Sequence, residues 1–320
     1  MTPAELSRTV LRAVRRAVEE DVLRAPVPER AVVERPRPGG RGDYASNVAL
    51  KLAGSASLPA REVAEILRRM LVVDEQIADV EITGPGFLNF TLVRPAQNSV
   101  VRTVLTQRSS YGHGTSVDGA GQVVQVPAGT HGDAVARLMQ AQGVTVVRSG
   151  EADPGFPHVV GRLGRDAAVW SVLWPTSVAR PDDLLVQRES NPLFRVRYAH
   201  ARARALARNA AALGFEAGEA TSYGEAASYG RDAAPLLGAL ADYPVVLEAA
   251  ARHRAPDRLA RYLDATAESF FRFHDAHPVL PLGDEKPSVA HRSRLALAEA
   301  TGTVLAGGLS LLGISAPEHL

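Results

Sequence analysis

The chain has 320 residues, 46% hydrophobic and 22% charged, with a net charge of +1 and no cysteine. That length holds two or three domains with ordinary cores, and the missing cysteine excludes disulfide scaffolds, thiolate metal sites and cysteine nucleophiles. Nucleic-acid binding cannot rest on bulk basicity at so balanced a charge; no apolar run approaches the ~18–20 residues of a membrane span and no leader pattern opens the chain, so a cytoplasmic protein without membrane contact is expected.

Thr2-Pro3 reads as an N-cap and first helical position. Leu6, Val10, Leu11, Val14 and Val18 recur at helical spacing, which predicts an amphipathic helix over residues 3–22. A short strand at 31–34 and a Pro/Gly loop to Gly42 follow. Asp43 reads as the cap of a helix running through Ala53, and Pro59 starts another to Leu71. Residues 80–82 and 87–93 alternate about Gly84-Pro85-Gly86, a hairpin pattern. A helix from Pro95 to Gln107 closes an α+β domain, residues 1–112.

Residues 113–190 have a different texture. Gly119 to Gly121 makes a loop, and Val123–Val126, Asp133–Gln142 and Val144–Val147 form one βαβ unit. Loops at 150–157 and 174–181 flank one more helix. From Asn191 onwards the pattern is helical, over 191–213, 231–240, 244–252, 256–276 and 288–311. Pro192, Pro244, Pro256 and Pro287 stand near helix starts, as a fixed φ and missing donor allow. The fold class is thus an α+β N-terminal domain, a short degenerate α/β middle segment and an all-α C-terminal helical bundle (191–320).

Two patterns suggest chemistry. Phe87 and Asn89 alternate onto one face of a strand. There a ring can stack an unpaired base while an amide reads its edge; the same residues could equally pack a core and cap a hairpin. Asn191 to Arg208 holds Arg195, Arg197, Arg202, Arg204 and Arg208 with no acidic residue. Arg195 and Arg202 are seven apart, as are Arg197 and Arg204, so each pair shares a helix face, with Tyr198 between. Such a helix can bind phosphates and stack a base, or be a solvated face. His274 and His277, three apart, have metal-ligand spacing, but no thiolate or second cluster supports it, and no metal is expected. No G-x-S-x-G nucleophile motif occurs.

Taken in order, GDYASNVALKLA (42–53), GPGFLNFTL (84–92), NPLFRVRYAHARARAL (191–206) and GGLSLLGISAPEHL (307–320) resemble the N-terminal and C-terminal tRNA-contacting domains of arginyl-tRNA synthetase. The resemblance implies that Phe87 and Asn89 read a D-loop base, with Tyr44 and Asn47 in support. It implies that Arg195, Arg197, Tyr198, Arg202, His274 and Leu320 face the anticodon loop. There are departures: Arg195 replaces an aromatic, Arg197 a glutamine, His274 a tyrosine and Leu320 a methionine, changes that weaken base reading more than phosphate attraction.

The family's catalytic domain has no room here. Five or six βα units at ~30 residues each need well over 100 residues, more than 113–190 offers. Among 36 basic residues the only lysines are Lys51 and Lys286, so no lysine loop of the KMSKS type is present. VVQVPAGTHGDAVARLMQAQGVTV (123–146) resembles the family's signature region with its core deleted. His131 and Asp133 there read as a helix cap or a relic ligand site, without the partner cation phosphoryl chemistry needs. The expectation is a non-catalytic relative that binds tRNA, arginine tRNA first, with no catalytic residue and no cofactor; ATP enters only with residual ligase activity. The alternatives are an arginine-tRNA ligase, alone or with a catalytic subunit in trans, and a module that binds an authentic aminoacyl-tRNA synthetase or another tRNA-using or biosynthetic enzyme.

Overall fold

The computed structural model describes residues 3–34, 36, 41–92, 96–114, 123–151, 153–218 and 229–320. The proposed cap Thr2, the loop glycines Gly119 to Gly121 and parts of the 35–41 and 93–95 junctions lie outside them. The chain forms two compact units, Met1–Gln97 and Asn98–Leu320.

In the first unit, helices α1 (Pro3–Glu19), α2 (Val48–Ala56) and α3 (Ala60–Leu71) go with a four-stranded antiparallel sheet of order β1-β2-β4-β3. Its strands are β1 (Val33–Glu34), β2 (Tyr44–Ser46), β3 (Ile77–Thr83) and β4 (Phe87–Leu92). Leu6, Val10, Val14, Leu67, Leu88 and Phe90 form the core. The helix expected from Asp43 is instead strand β2, and α2 begins only at Val48. Asp43 binds a distant partner: its N–H donates to Phe90 O at 2.7 Å, and its Oδ2 accepts from Leu92 N at 2.8 Å. Gly42, at φ +79°, lies so close to β4 that a Cβ would meet Phe90 O at 2.7 Å, so only glycine leads into this clip.

The second unit begins with α4 (Ala96–Gln107) and holds β5 (Val123–Pro127), α5 (Thr130–Ala141) and β6 (Thr145–Ser149). β5 and β6 pair in parallel, the expected βαβ. Then α6 (Phe156–Leu163) and α7 (Arg165–Leu173) stand where one helix was expected, divided at Gly164, whose φ is +74°. Four long helices follow: α8 (Pro192–Ala212), α9 (Ala234–Arg252), α10 (Pro256–Ala276) and α11 (Val289–Leu312). Leu138, Met139 and Trp170 share one core with Leu206, Leu240, Phe270 and Leu305. The sequence places boundaries near 112 and 190; the core is continuous across both, and the division falls at Gln97/Asn98.

Where two helices were expected on either side of Pro244, α9 runs straight through it. Proline has no N–H to give the carbonyl four residues back, which normally breaks a helix. Here the Tyr111 hydroxyl donates to that carbonyl, Leu240 O, at 2.8 Å, and the Tyr262 hydroxyl donates to Ala239 O at 2.7 Å. Tyr243 stacks on Tyr111 with centroids 5.8 Å apart and lies tilted against Tyr262 at 5.7 Å. By length and composition alone α9 and α11 could each cross a membrane, contrary to the expected lack of any such run. In α11 the stretch from Leu295 to Leu312 carries a single charge, Glu299. Both helices give the core buried residues, among them Leu236, Leu247, Leu297 and Leu309.

Tyr111→Phe leaves Leu240 O without its donor in a dry core. It should lower the stability of the second unit by about 1–3 kcal/mol. Urea titration followed by tryptophan fluorescence checks this, since both tryptophans, Trp170 and Trp174, lie in that unit.

Candidate nucleic-acid interface

On the first unit's sheet, Leu88, Phe90 and Leu92 point into the core, while Phe87, Asn89 and Thr91 alternate onto the other face. Phe87 is 39% exposed and presents its ring. Asn89 is 7% exposed, and its Nδ2 donates to Thr83 Oγ1 at 2.7 Å. The two thus share a face, but the amide is occupied by the neighbouring strand. Tyr44 is 6% exposed, in the core, so its ring offers no surface for a base. Asn47 stands at the N-terminal cap position of α2 without capping it, and Val48 N donates to Ser46 Oγ at 3.3 Å. The Asn47 Oδ1 is buried with no hydrogen-bond partner among the described residues.

In the second unit Asn191 starts α8. Its Oδ1 accepts from Phe194 N at 3.1 Å, its Nδ2 donates to Leu184 O and Val186 O at 2.9 Å each, and Pro192 takes the first turn. From there the sevenfold arginine spacing sorts onto two faces. Arg195 and Arg202 meet α10. The Arg195 guanidinium forks onto Asp264, Nε to Oδ1 at 2.8 Å and Nη2 to Oδ2 at 2.7 Å, and its Nη1 donates to Glu189 O at 2.8 Å. Donating to Asp264 raises the guanidinium's pKa further, against burial. Arg202 Nε donates to His274 Nε2 at 3.3 Å.

The other face meets the C-terminal segment. Arg197 Nη2 lies 3.4 Å from Ser315 Oγ and 3.6 Å from Asp166 Oδ2. Arg204 donates to Glu318 Oε1 at 2.9–3.1 Å. Arg208 donates to Glu318 O at 3.2 Å and lies 3.7 Å from its Oε2. Between the faces His200 is buried, and its Nδ1–H donates to Pro317 O at 3.0 Å. Burial pushes its imidazole below the ordinary range, opposed by that hydrogen bond. Of the arginines that the sequence left free for phosphates, Arg195, Arg197, Arg204 and Arg208 are therefore met by carboxylates of this same chain, and Arg202 by His274.

Between these arginines runs an aromatic ladder. Tyr198 stacks on Phe194 at 5.4 Å and 7°, and on Phe271 at 5.5 Å and 22°, while remaining 41% exposed. Phe270 leads from it to His274, centroids 6.0 Å apart. His274 and His277 do not converge as metal ligands would. His274 faces Arg202 and Asp275, while His277 lies 3.4 Å from Asp232 and against Phe273. Leu320 is 50% exposed.

The middle segment's candidates part company. His131 is exposed in the first turn of α5, which starts at Thr130, earlier than expected, after Gly129. Asp133 forms an ion pair with Arg148 of β6 at 2.5 Å instead of facing an anion site. The sequence also did not single out Phe194, Phe271 or Asp264. The i, i+4 spacing of Phe194 and Tyr198 was the one readable signal; the other two lie about 70 residues on.

Comparison with known proteins agrees with this division. The arginyl tRNA synthetase N terminal domain matches residues 5–92, and the DALR anticodon binding domain matches residues 196–320. An arginine–tRNA ligase of Frankia alni is 26% identical, with all of both chains covered, in an alignment of 553 positions. With 320 residues in this chain, well over a third of those positions have no counterpart here. Among solved structures, Thermus thermophilus arginyl-tRNA synthetase superposes with a TM-score of 0.65 at 14% identity, covering 100% of both chains. Plasmodium falciparum arginyl-tRNA synthetase gives 0.63 at 9%, covering 99% of each. At such identities the superpositions establish the fold.

Two outcomes are expected. Arg195→Ala leaves Asp264 unpartnered and should cost about 1–3 kcal/mol in urea titration; Arg195→Lys should not restore it, because an ammonium cannot fork onto a carboxylate. The second concerns pH. Native His200 holds its proton less tightly than the unfolded chain does, so the unfolded state binds more protons below about pH 6.5. Stability should fall as pH drops through that value, and His200→Gln should flatten the dependence measured between pH 7.5 and 5.5.

Proposed function

We propose that this chain, which joins an arginyl-tRNA synthetase N-terminal domain to a DALR anticodon-binding domain, binds tRNA without charging it. The observation that carries the reading is the Phe194–Tyr198–Phe271 ladder on α8 and α10, inside or beside the matched anticodon-binding residues. Tyr198 stays exposed, and Arg202, one turn further along α8, donates to His274 of α10. An exposed aromatic fixed by two others is a preorganised platform for an unpaired base, and base stacking is worth about 1–3 kcal/mol. The Arg202 guanidinium suits the backbone beside such a base.

Arginine tRNA is the first ligand to test, because the relatives are named for it. Phe87 is a second contact of the same kind, a ring on an open sheet face. Asn89, bonded to Thr83, reads a base only if it exchanges that partner. Tyr44 then acts through the core, by holding β2 against β4 at the Tyr44–Phe90 pair, and does not itself touch RNA. Arg195 is a positioning residue for the ladder.

The non-catalytic reading rests on the middle segment. Its parallel sheet has two strands among the described residues, against the five or six βα units that a nucleotide-activating domain of this class uses. Asp133 is taken by Arg148, and Lys51 and Lys286 lie outside the segment.

The test is binding of purified protein to uncharged arginine tRNA and to an unrelated tRNA over a salt series. Arginine tRNA should bind more tightly than the control. Tyr198→Ala should weaken it about tenfold or more, while Tyr198→Phe, which keeps the ladder, should leave it nearly unchanged. Arginine-dependent exchange of pyrophosphate into ATP should be absent. Binding to neither tRNA at low salt would overturn the RNA reading, and measurable exchange would overturn the non-catalytic one.

A further inference from the structure

Glu318 is the acidic residue that meets α8 on the face bearing Arg204 and Arg208. Its carboxylate accepts from Arg204 and lies 3.7 Å from Arg208, and its main-chain carbonyl accepts a third bond from Arg208. Two guanidinium groups one helical turn apart, converging on one pair of oxygens, make the arrangement a phosphodiester requires. The contacts are exposed, with 46% of the Arg204 side chain and 52% of Glu318 open to solvent, so solvent and ions screen them and they hold weakly. The segment is aligned by two neighbouring bonds, His200 to Pro317 O and Ser315 to Asp166.

The site also continues along the unit. Glu318 and His200 line an open cleft of about 360 Å³ with Arg204, Glu299 and Thr303. An adjoining cleft of about 520 Å³ shares those last three residues and adds Arg102 and Arg108. Neither Arg102 nor Arg108 has an ion-pair partner among the described residues. Glu299 is a further carboxyl lining both clefts, and burial raises its pKa against the pull of Arg204 and Arg108.

We propose that Arg204 and Arg208 form a phosphate-binding site for the RNA backbone and that Glu318 is its resident stand-in. The C-terminal segment is an acidic clasp that an RNA phosphate displaces, leaving a basic path from Arg208 through Arg204 to Arg108 and Arg102. This rests on the tRNA reading above and adds a site with a built-in competitor to it. The competitor sets a threshold: a single stray phosphate exchanges with Glu318 at little gain. An RNA held also at the aromatic ladder presents its phosphate at high effective concentration and opens the clasp.

The experiment is Glu318→Gln, assayed with labelled arginine tRNA over a salt series, alongside wild type and Arg204→Ala/Arg208→Ala with and without Glu318→Gln. Removing the competing charge should tighten binding about three- to fivefold at low salt. It should also steepen the logarithmic salt dependence by about one unit. The double arginine variant should bind more weakly, and there Glu318→Gln should have no effect. The urea midpoint of each variant by tryptophan fluorescence separates a folding defect from a binding one. If wild type binds tRNA and Glu318→Gln matches it in affinity and salt slope, the clasp is wrong and the tRNA reading stands. If Glu318→Gln tightens binding equally in the arginine-free background, the effect is general charge and the site is wrong. If wild type binds no tRNA at low salt, both fall together.

Discussion

The fork of Arg195 onto Asp264 fixes how α8 lies against α10, and the candidate interface is built on that seam. Phe194 and Tyr198 come from one helix and Phe271 from the other, so the ladder exists only while the two helices keep their register. Both partners of the fork are largely covered, with side-chain exposures of 21% and 16%. A bidentate pair at that burial is directional as well as attractive. One helical face of α8 is thereby committed to α10 and the other to the C-terminal segment, which leaves the aromatic strip between them as the open surface.

The same economy of surface explains how the middle segment persists. A two-stranded parallel sheet is a poor structure alone, because parallel strands are normally covered on both faces. Here α5 and α7 bury Leu138, Met139 and Trp170 in the core of the helical bundle, so the βαβ unit borrows its hydrophobic partner from the domain that follows. The Gly132 backbone sits so tightly against Pro127 O that a side chain would overlap it, which holds α5 on β5. Tyr111, at the start of this unit, supplies the hydroxyl that lets α9 pass through Pro244.

Much of the local structure was legible in the residues. The Asn191-Pro192 helix start, the hairpin about Gly84 to Gly86, the βαβ unit and the two arginine faces all follow from spacing and capping chemistry. What was hidden were partners far along the chain. Asp43 looks like a helix cap until Leu92 N, 49 residues on, is seen to donate to it. Pro244 looks like a helix start until Tyr111, more than 100 residues earlier, satisfies the carbonyl it orphans. Arg195 and Arg204 look free for phosphates until Asp264 and Glu318 arrive. The resemblance makes Tyr44 a supporting RNA contact, yet its ring is buried in the core of the first unit. Sequence periodicity reports which face a residue occupies, and long-range pairing decides what that face meets.

The central claim is that the α8–α10 seam is where this chain meets tRNA. Hydrogen–deuterium exchange of the full chain with and without arginine tRNA tests it most directly, because it locates the contact without altering a residue. The account predicts slowed exchange at the seam, in peptides covering 192–204 and 264–276, and faster exchange in 315–320 as the clasp opens. Protection confined to the first unit, or to the βαβ segment at 123–149, would contradict it.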